Sequence, residues 1–253
     1  MIAGGRPSLI GISGKMGSGK DTLSIVLNYL ADKDAPDSIG RWDQSVEDFV
    51  YKNKKYSEKL KYMVCFLIGC SRSDLEDRDF KEKHLGEDWI VHWYKDNKGR
   101  KSLTKTALEA VNHPDAATIG QDMLTPRKLL QLIGTEAGRQ IIHPNIWVSA
   151  LFADYKKIAY NWDCDGNTTV EGYPNWIITD VRFTNEAQAI KDRGGILIRI
   201  NRHQYLENGL GIRKDEHLSE TALDDYDGFD YVIENNSDSV ADLVEQVKQL
   251  KIV

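Results

Sequence analysis

The stretch LIGISGKMGSGKDTL, Leu9 to Leu23, decides how this sequence folds, because an apolar run leads into a glycine-rich loop and then into a helical pattern. The run SLIGIS predicts a short buried strand over 8–13. Apolar residues then recur at helical spacing, at Leu23, Val26, Leu27 and Leu30. The glycines therefore lie between a strand and a helix, which is the context that a phosphate-binding loop requires.

The loop itself, Gly14 to Lys20, has the complete spacing G-x-x-x-x-G-K. Its glycines permit a tight turn whose backbone N–H groups converge on phosphate oxygens, and the following helix N-terminus favours an anion. Lys20 is predicted to reach the β- and γ-phosphates of a nucleotide. The Ser or Thr expected after the lysine is displaced, because Asp21 stands there and Thr22 follows. Either residue could hold a metal ion, or Asp21 could act on a substrate group or only favour the helix N-terminus.

The last third of the chain alternates strand and helix patterns, in the order NWIITD, TNEAQAIKDRGG, GILIRI, YVIEN and SVADLVEQVKQL. Such alternation predicts an α/β fold of the P-loop NTPase type, with three layers and a mainly parallel central sheet. The helix TNEAQAIKDRGG is predicted to be capped by Thr184 and closed by Gly194. We expect one domain with its core over about 1–33 and 172–253.

The segment of about 34–160 is predicted to be a largely helical insertion. A helix is expected over 56–70, and a strand or hairpin within 85–118. The run TPRKLLQLIG predicts a helix with Thr125 as its N-cap, Pro126 at its first position and Gly134 at its end. A further helix is predicted from Pro144 to about Ala159.

A second group of candidate site residues follows the predicted strand WIITD. Asp180 stands at the carboxyl end of that strand, where ligands bind in open α/β sheets, and could orient Mg²⁺ or a substrate group. Arg182 could form a forked contact with a phosphate. Glu186 lies in the first turn of the next helix, where it could act at the site or complement the helix dipole.

A third group lies in TPRKLLQLIGTEAGR, where Arg127 and Gln131 share one helix face. They could hold a monophosphate and a base edge, or form a solvated face; Arg139 is another candidate phosphate contact. Trp147 has the helical spacing of a core aromatic, although it could also stack on a nucleobase. Arg199 and Arg202, at the end of ILIRINR, could lie over phosphates or at the surface, and His217 is predicted to be a lid or cap residue.

Composition excludes several classes of protein. A net charge of −6 argues against a general nucleic-acid coat, so no direct nucleic-acid partner is expected. The three cysteines show no paired zinc spacing and no disulfide framework. No apolar run approaches the about 18 residues of a membrane span, and no signal-peptide core opens the sequence. We therefore expect a cytoplasmic protein without a membrane partner.

The order of the motifs GISGKMGSGKDT, LLQLIGTEAGR, TDVRFTNEA, HLSE and VIENN resembles the deoxynucleoside monophosphate kinases of tailed bacteriophages. These are P-loop kinases related to the wider nucleoside-monophosphate kinases, and the similarity is weakest over 85–118. The resemblance implies Mg²⁺ and ATP as donor, a deoxynucleoside 5′-monophosphate (dNMP) as acceptor, and direct in-line transfer that gives ADP and the diphosphate. It also implies the cytoplasm of a host cell and a homodimer.

The resemblance assigns a role to each candidate residue. The ATP phosphates would be held by Gly14, Lys15, Gly17, Ser18, Gly19 and Lys20. Thr22 and Asp21 would lie by the metal and the transferring group, and Asn235 would approach the adenine. The monophosphate and base pocket would comprise Arg127, Gln131, Arg139 and Trp147. Around the acceptor would lie Asp180, Arg182 and Glu186, and the catalytic set would be Lys20, Asp21, Asp180 and Arg182. The chain would be a single P-loop kinase domain, in which the insertion over about 34–160 binds the substrate and the segment 202–217 forms a lid.

Two other functions are compatible with the loop. A P-loop kinase for another small acceptor, such as dephospho-coenzyme A, uses a comparable loop. A nucleotide-binding regulatory ATPase is the alternative from a different class. A switch of the GTPase type would need an N-K-x-D motif, and the Asn-Lys pairs of this sequence read NKKY and NKGR.

Overall fold

The computed structural model describes residues 6–42, 50–104, 106–161, 169–202 and 221–253. The chain divides into two compact units, which we call the core unit (Met1–Tyr56 with Trp147–Val253) and the inserted unit (Ser57–Ile146). The predicted division into core, insertion and lid stays a prediction. Among the described residues, no helix is long and apolar enough to cross a membrane.

The strands are β1 (Leu9–Ser13), β2 (Lys52–Lys54), β3 (Ile90–Lys95), β4 (Lys101–Thr104), β5 (Thr118–Met123), β6 (Ile158–Asn161), β7 (Thr169–Gly172), β8 (Trp176–Ile178), β9 (Ile196–Asn201) and β10 (Tyr231–Glu234). The α-helices are α1 (Lys20–Ala31), α2 (Glu58–Ile68), α3 (Arg78–Glu82), α4 (Ala107–Asn112), α5 (Pro126–Gln131), α6 (Ile146–Phe152), α7 (Thr184–Lys191) and α8 (Val240–Leu250). A π-helix spans Leu132–Ile142, and 3₁₀ turns span Ile39–Arg41 and Glu87–Trp89.

The core unit is built on a parallel sheet of five strands in the order β10-β9-β1-β8-β2. The central strand β1 is buried along its whole length, as expected for a parallel sheet covered on both faces. Its side chains alternate between two apolar clusters. Ile10 and Ile12 pack with α1 and α8, whereas Leu9 packs with α6 and α7. The predicted α/β fold with three layers is therefore confirmed.

The inserted unit contains helices and a sheet of three antiparallel strands, in the order β4-β3-β5. The hairpin of β3 and β4 confirms the strand or hairpin predicted within 85–118. The helix predicted over 56–70 is α2, and it ends at Gly69, whose φ is 67°. Thr125 caps α5 as predicted, because its side chain accepts a hydrogen bond from the Lys128 backbone N–H.

Two predicted helix ends are wrong. Gly134 does not end a helix, because the chain continues from α5 into the π-helix. Gly134 is buried, and a Cβ there would lie 2.8 Å from Leu60 Cδ2, so this glycine permits close packing against α2. The helix predicted from Pro144 to Ala159 covers only α6, because Tyr155 packs between the rings of Tyr173 and Trp176 and the chain then enters β6.

Candidate active site

The glycine loop leads from the end of β1 to the start of α1. Gly17 and Gly19 have φ values of 79° and 98°, a region of backbone conformation that favours glycine. A Cβ on Gly14 would lie 2.4 Å from the carbonyl oxygen of Ile200 in β9. Backbone conformation and close packing therefore both require glycine in this loop.

Asn235, which follows β10, holds the loop from its other side. The Asn235 Nδ2 donates a hydrogen bond of 3.0 Å to the carbonyl oxygen of Ser18, and Asn235 is buried. A Cβ on Gly19 would lie 2.6 Å from the same nitrogen. The structure thus places Asn235 against the loop, while its contact with adenine stays a prediction.

Lys20 and Ser18 provide polar groups at the loop. The Lys20 Nζ donates to the carbonyl oxygens of Gly14 and Lys15, both at 2.7 Å. The Ser18 Oγ is buried and has no hydrogen-bond partner in the part of the chain that the structure describes. A lysine, an unpaired hydroxyl and the N-terminus of a long helix together fit the phosphate groups of a nucleotide.

Asp21 and Thr22 occupy the first turn of α1. The Asp21 side chain is 77% exposed, and its Oδ1 lies 3.1 Å from the Nζ of Lys55. Thr22 is half-buried. The described residues contain no group of three or more His, Cys, Asp or Glu side chains placed to hold a metal ion. Magnesium at a nucleotide site needs only one or two protein oxygens besides phosphate and water, so these two residues fit it.

Asp180 lies just beyond β8, next to Tyr56, which follows the neighbouring strand β2. Its Oδ1 accepts a hydrogen bond of 2.7 Å from the backbone N–H of Tyr56. The Tyr56 hydroxyl donates to the Glu186 carbonyl oxygen at 2.9 Å. Burial, together with the charges of Glu186 and Asp180, raises the pKa of Tyr56 far above its usual value, so the hydroxyl stays protonated.

Glu186 is 1% exposed and caps α7 with its side chain. Its Oε2 accepts hydrogen bonds from the backbone N–H groups of Arg182, at 2.8 Å, and Phe183, at 3.2 Å. The prediction that Thr184 caps this helix is wrong, because Thr184 is its first helical residue and the Glu186 carboxylate satisfies the N–H groups before it. The Arg182 residue is exposed at this turn.

A further carboxylate, Asp224, pairs with two cations of the loop region. Its Oδ1 lies 2.9 Å from Nη2 of Arg199, and its Oδ2 lies 3.3 Å from Nζ of Lys15. Arg199 also donates to the Ser13 Oγ at 3.2 Å. Sequence reasoning missed Asp224, because the surrounding ALDDYDG has no motif of fixed spacing. Arg202 forms an ion pair with Asp238.

The other predicted residues are distributed over both units. In the inserted unit, Arg127 pairs with Glu82, Gln131 is half-buried at the end of α5, and the Arg139 Nη1 donates to the Gly134 carbonyl oxygen at 3.0 Å within the π-helix. Trp147 belongs to the core unit and is 4% exposed. His217 and the predicted lid, except Arg202, lie outside the described residues.

The core unit therefore brings the glycine loop, Asp21, Asp180 and Glu186 to the carboxyl ends of parallel strands. A three-layer α/β unit whose central strand runs into a glycine loop and a lysine defines a phosphate-loop nucleotide-binding protein. This class is the one that the opening stretch of sequence predicts.

Comparison with known proteins identifies the group within that class. The family model "Deoxynucleotide monophosphate kinase" matches residues 83–247. The deoxynucleoside-5′-monophosphate kinase of Escherichia phage T5 is 24% identical over 208 residues, which cover 73% of this chain and 72% of the relative. A putative deoxynucleotide monophosphate kinase of Acanthamoeba polyphaga mimivirus is 33% identical over 120 residues, which cover 44% of this chain and 54% of the relative.

The chain belongs to the deoxynucleotide monophosphate kinase family, and it is an enzyme of the transferase class. The resemblance predicted from the motif order is thereby confirmed. The family match begins at residue 83, so the glycine loop at 14–20 is evidence independent of that match.

Proposed function

We propose that the protein transfers the γ-phosphate of ATP to deoxynucleoside 5′-monophosphates by direct in-line displacement, in the supply of nucleotides for DNA synthesis. The observation that carries this proposal is the glycine loop with Lys20, placed at the carboxyl end of the central strand in a chain of this family. The phage T5 relative is named a deoxynucleoside-5′-monophosphate kinase, which supports this acceptor class.

On the donor side, the backbone N–H groups from Gly14 to Gly19 and the Lys20 ammonium bind the ATP phosphates. Asn235 supports this loop through its hydrogen bond to Ser18, and its neighbourhood at the end of β10 is our candidate for the adenine contact. Magnesium would be held by Thr22 and Asp21, and when bound it supplies charge neutralisation for the phosphates.

On the acceptor side, Asp180 and Arg182 stand at the carboxyl end of β8. Asp180 is held by the Tyr56 N–H, and Glu186 fixes the turn from which Arg182 projects. The exposed Arg182 guanidinium supplies positive charge for a phosphate, which is the main catalytic requirement of phosphoryl transfer. The mechanism requires that water be kept from the reacting groups, because it would otherwise compete as acceptor.

The roles of Arg127, Gln131, Arg139 and Trp147 as acceptor contacts rest on the resemblance of their motifs. Each is tested by single substitution to Ala, with KM for the acceptor as the readout. We expect KM to rise by about tenfold or more where a charge-assisted contact is lost. The buried Trp147 requires a thermal unfolding control, because its substitution also removes core packing.

The experiment that tests the proposal is an assay of ADP release across an acceptor panel. Rapid turnover with dGMP or dTMP, and none with dephospho-coenzyme A, is the expected result. Turnover with dephospho-coenzyme A alone would assign the protein to another class of P-loop kinase. ADP release that is independent of any acceptor would assign it to the regulatory ATPases.

Oligomeric state and location are separate parts of the proposal. A homodimer is proposed from the resemblance, and sedimentation equilibrium at several protein concentrations tests it. The proposed location is the cytoplasm of the host cell, which fractionation of expressing cells tests. No direct contact with nucleic acid is part of this function.

A further inference from the structure

Lys55 lies beside the proposed transfer site, although no motif of the sequence singles it out. It directly follows the edge strand β2, which pairs with β8 in parallel. Its Nζ lies 3.1 Å from Oδ1 of Asp21, the residue after the loop lysine. Two segments far apart in the chain thus place a cation and a carboxylate together at the carboxyl edge of the sheet.

The backbone on both sides of Lys55 is anchored to the same edge. The carbonyl oxygen of Lys54 accepts a hydrogen bond of 3.2 Å from the Thr179 N–H. The N–H of Tyr56 donates to Asp180 at 2.7 Å, and the Tyr56 ring is buried. Lys55 is therefore fixed at its backbone while its long side chain keeps the freedom to exchange partners.

Stability does not account for the ion pair between Lys55 and Asp21. The two side chains are 39% and 77% exposed. Exposed ion pairs add little to folding free energy, because both groups are well solvated and two side chains lose freedom. The position of the pair, at the N-terminus of α1 and next to Asp180, points instead to a role with a bound anion.

We propose that Lys55 is a further catalytic residue, whose ammonium moves from Asp21 to an oxygen of the transferring phosphoryl group. This inference rests on the proposed function. An acceptor phosphate oxygen forms the new bond to the γ-phosphorus, and the bond to the β,γ-bridging oxygen breaks with its electron pair going to ADP. No bond to Lys55 forms or breaks. Its charge stabilises the oxygens on which negative charge is concentrated during transfer.

The second lysine complements Lys20 rather than repeating it. The Lys20 ammonium already donates to two carbonyl oxygens within the loop. Lys55 approaches from β2, the edge strand, and its partner Asp21 is an exposed carboxylate. Binding of a phosphate therefore requires only that Lys55 exchange one anionic oxygen for another.

The test compares Lys55→Met with Lys52→Met, which removes the same charge from an exposed position on the strand β2 that precedes Lys55. We expect Lys55→Met to lower kcat by about 100-fold, with KM for ATP and dNMP changed by less than about threefold. Lys55→Arg should recover at least about tenfold of that loss, and Lys52→Met should stay within about twofold of the wild type. A Lys55→Met enzyme that keeps more than a third of wild-type kcat would overturn the proposal.

A double variant separates direct contact from simple charge balance. The Asp21→Asn variant is compared with and without Lys55→Met. If Lys55 acts only through Asp21, Lys55→Met causes no further loss of kcat in the Asp21→Asn background, and this result would also overturn the proposal. We expect a further loss of at least about tenfold, because the phosphoryl group still lacks its cation. Thermal unfolding of each variant checks that loss of activity is not loss of folding.

Failure of the proposed function has a different signature. A wild-type enzyme that turns over none of the dNMP acceptors contradicts the function itself. Lys55 is then judged by the binding of ADP with aluminium fluoride, which mimics the transferring phosphoryl group. Binding that is at least about tenfold weaker in Lys55→Met than in Lys52→Met supports the contact, and equal binding rejects it.

Discussion

Glu186→Ala is expected to destabilise the core unit strongly, because this buried carboxylate caps α7. It is 1% exposed and accepts hydrogen bonds from the backbone N–H groups of Arg182 and Phe183. Removal of the carboxylate leaves both N–H groups without this acceptor. The effect is therefore structural, and it should appear in unfolding before any substrate is added.

The size of the effect follows from the two hydrogen bonds. A hydrogen bond to a charged group contributes about 1.5–3 kcal/mol, so we expect Glu186→Ala to cost about 3–5 kcal/mol of unfolding free energy. For a chain of this size, that loss lowers Tm by about 10 °C. Glu186→Gln retains a neutral acceptor and should cost only about 1–2 kcal/mol.

The assay is thermal and urea unfolding, with Gln188→Ala as the matched control. Gln188 lies on the same helix but is exposed, and its amide Nε2 donates a hydrogen bond to the carboxylate of Asp192. We expect the control to change stability by less than about 0.5 kcal/mol. If Glu186→Ala lowers Tm by less than about 2 °C, the capping role is refuted. A Glu186→Gln enzyme of wild-type stability without activity would show that the carboxylate acts on the acceptor.

Three further changes test other parts of the structure. Gly19→Ala should lower the free energy of unfolding by about 2–3 kcal/mol in calorimetry, because the φ of Gly19 is 98° and a Cβ there would lie 2.6 Å from Nδ2 of Asn235. The control is Gly69→Ala, which isolates the cost of the backbone conformation, because a Cβ on Gly69 would meet no described atom within 4 Å. Burial raises the pKa of the Cys70 thiol to about 11. At pH 8, iodoacetamide should therefore modify Cys70 about 20-fold more slowly than a free cysteine, because the scarcity of thiolate outweighs the greater nucleophilicity of that thiolate. Equal rates of modification in native and unfolded protein would contradict this. Thr125→Ala should cost about 1 kcal/mol in urea unfolding, because it removes the cap of α5, and an unchanged transition would show that the cap contributes nothing.

The parts of the fold that the sequence predicts are those in which local pattern and tertiary role agree. β1, the loop and α1 form a continuous signal of an apolar run, glycines and a helical stripe, and the structure keeps all three. Gly69 also ends α2 as a local rule requires, since it adopts a left-handed conformation.

Other features depend on contacts that are distant in sequence. Gly134 looks like a helix stop, yet its small size serves packing against Leu60. The strand β2 reads KNK and has no apolar pattern, because its structure comes from pairing with β8. Sequence reasoning missed Lys55 because it follows this strand, which has no recognisable pattern.

The candidate site shows the same division. Lys20 and Asp180 follow from motifs whose spacing has a chemical reason. Asp224 holds Lys15 and Arg199 through contacts between segments that no short pattern connects. Glu186 was correctly placed in the first turn of α7, but only its burial and its two N–H partners distinguish a cap from a substrate contact.

The central claim is that the loop carrying Lys20 supplies the phosphoryl group to a deoxynucleoside monophosphate. The most direct test follows the labelled γ-phosphate of ATP in the presence of dGMP or dTMP, with wild-type enzyme and Lys20→Ala. We predict that label passes to the deoxynucleoside diphosphate and that Lys20→Ala lowers this rate by at least about 100-fold while the protein stays folded. A Lys20→Ala enzyme that transfers label at the wild-type rate would contradict the account.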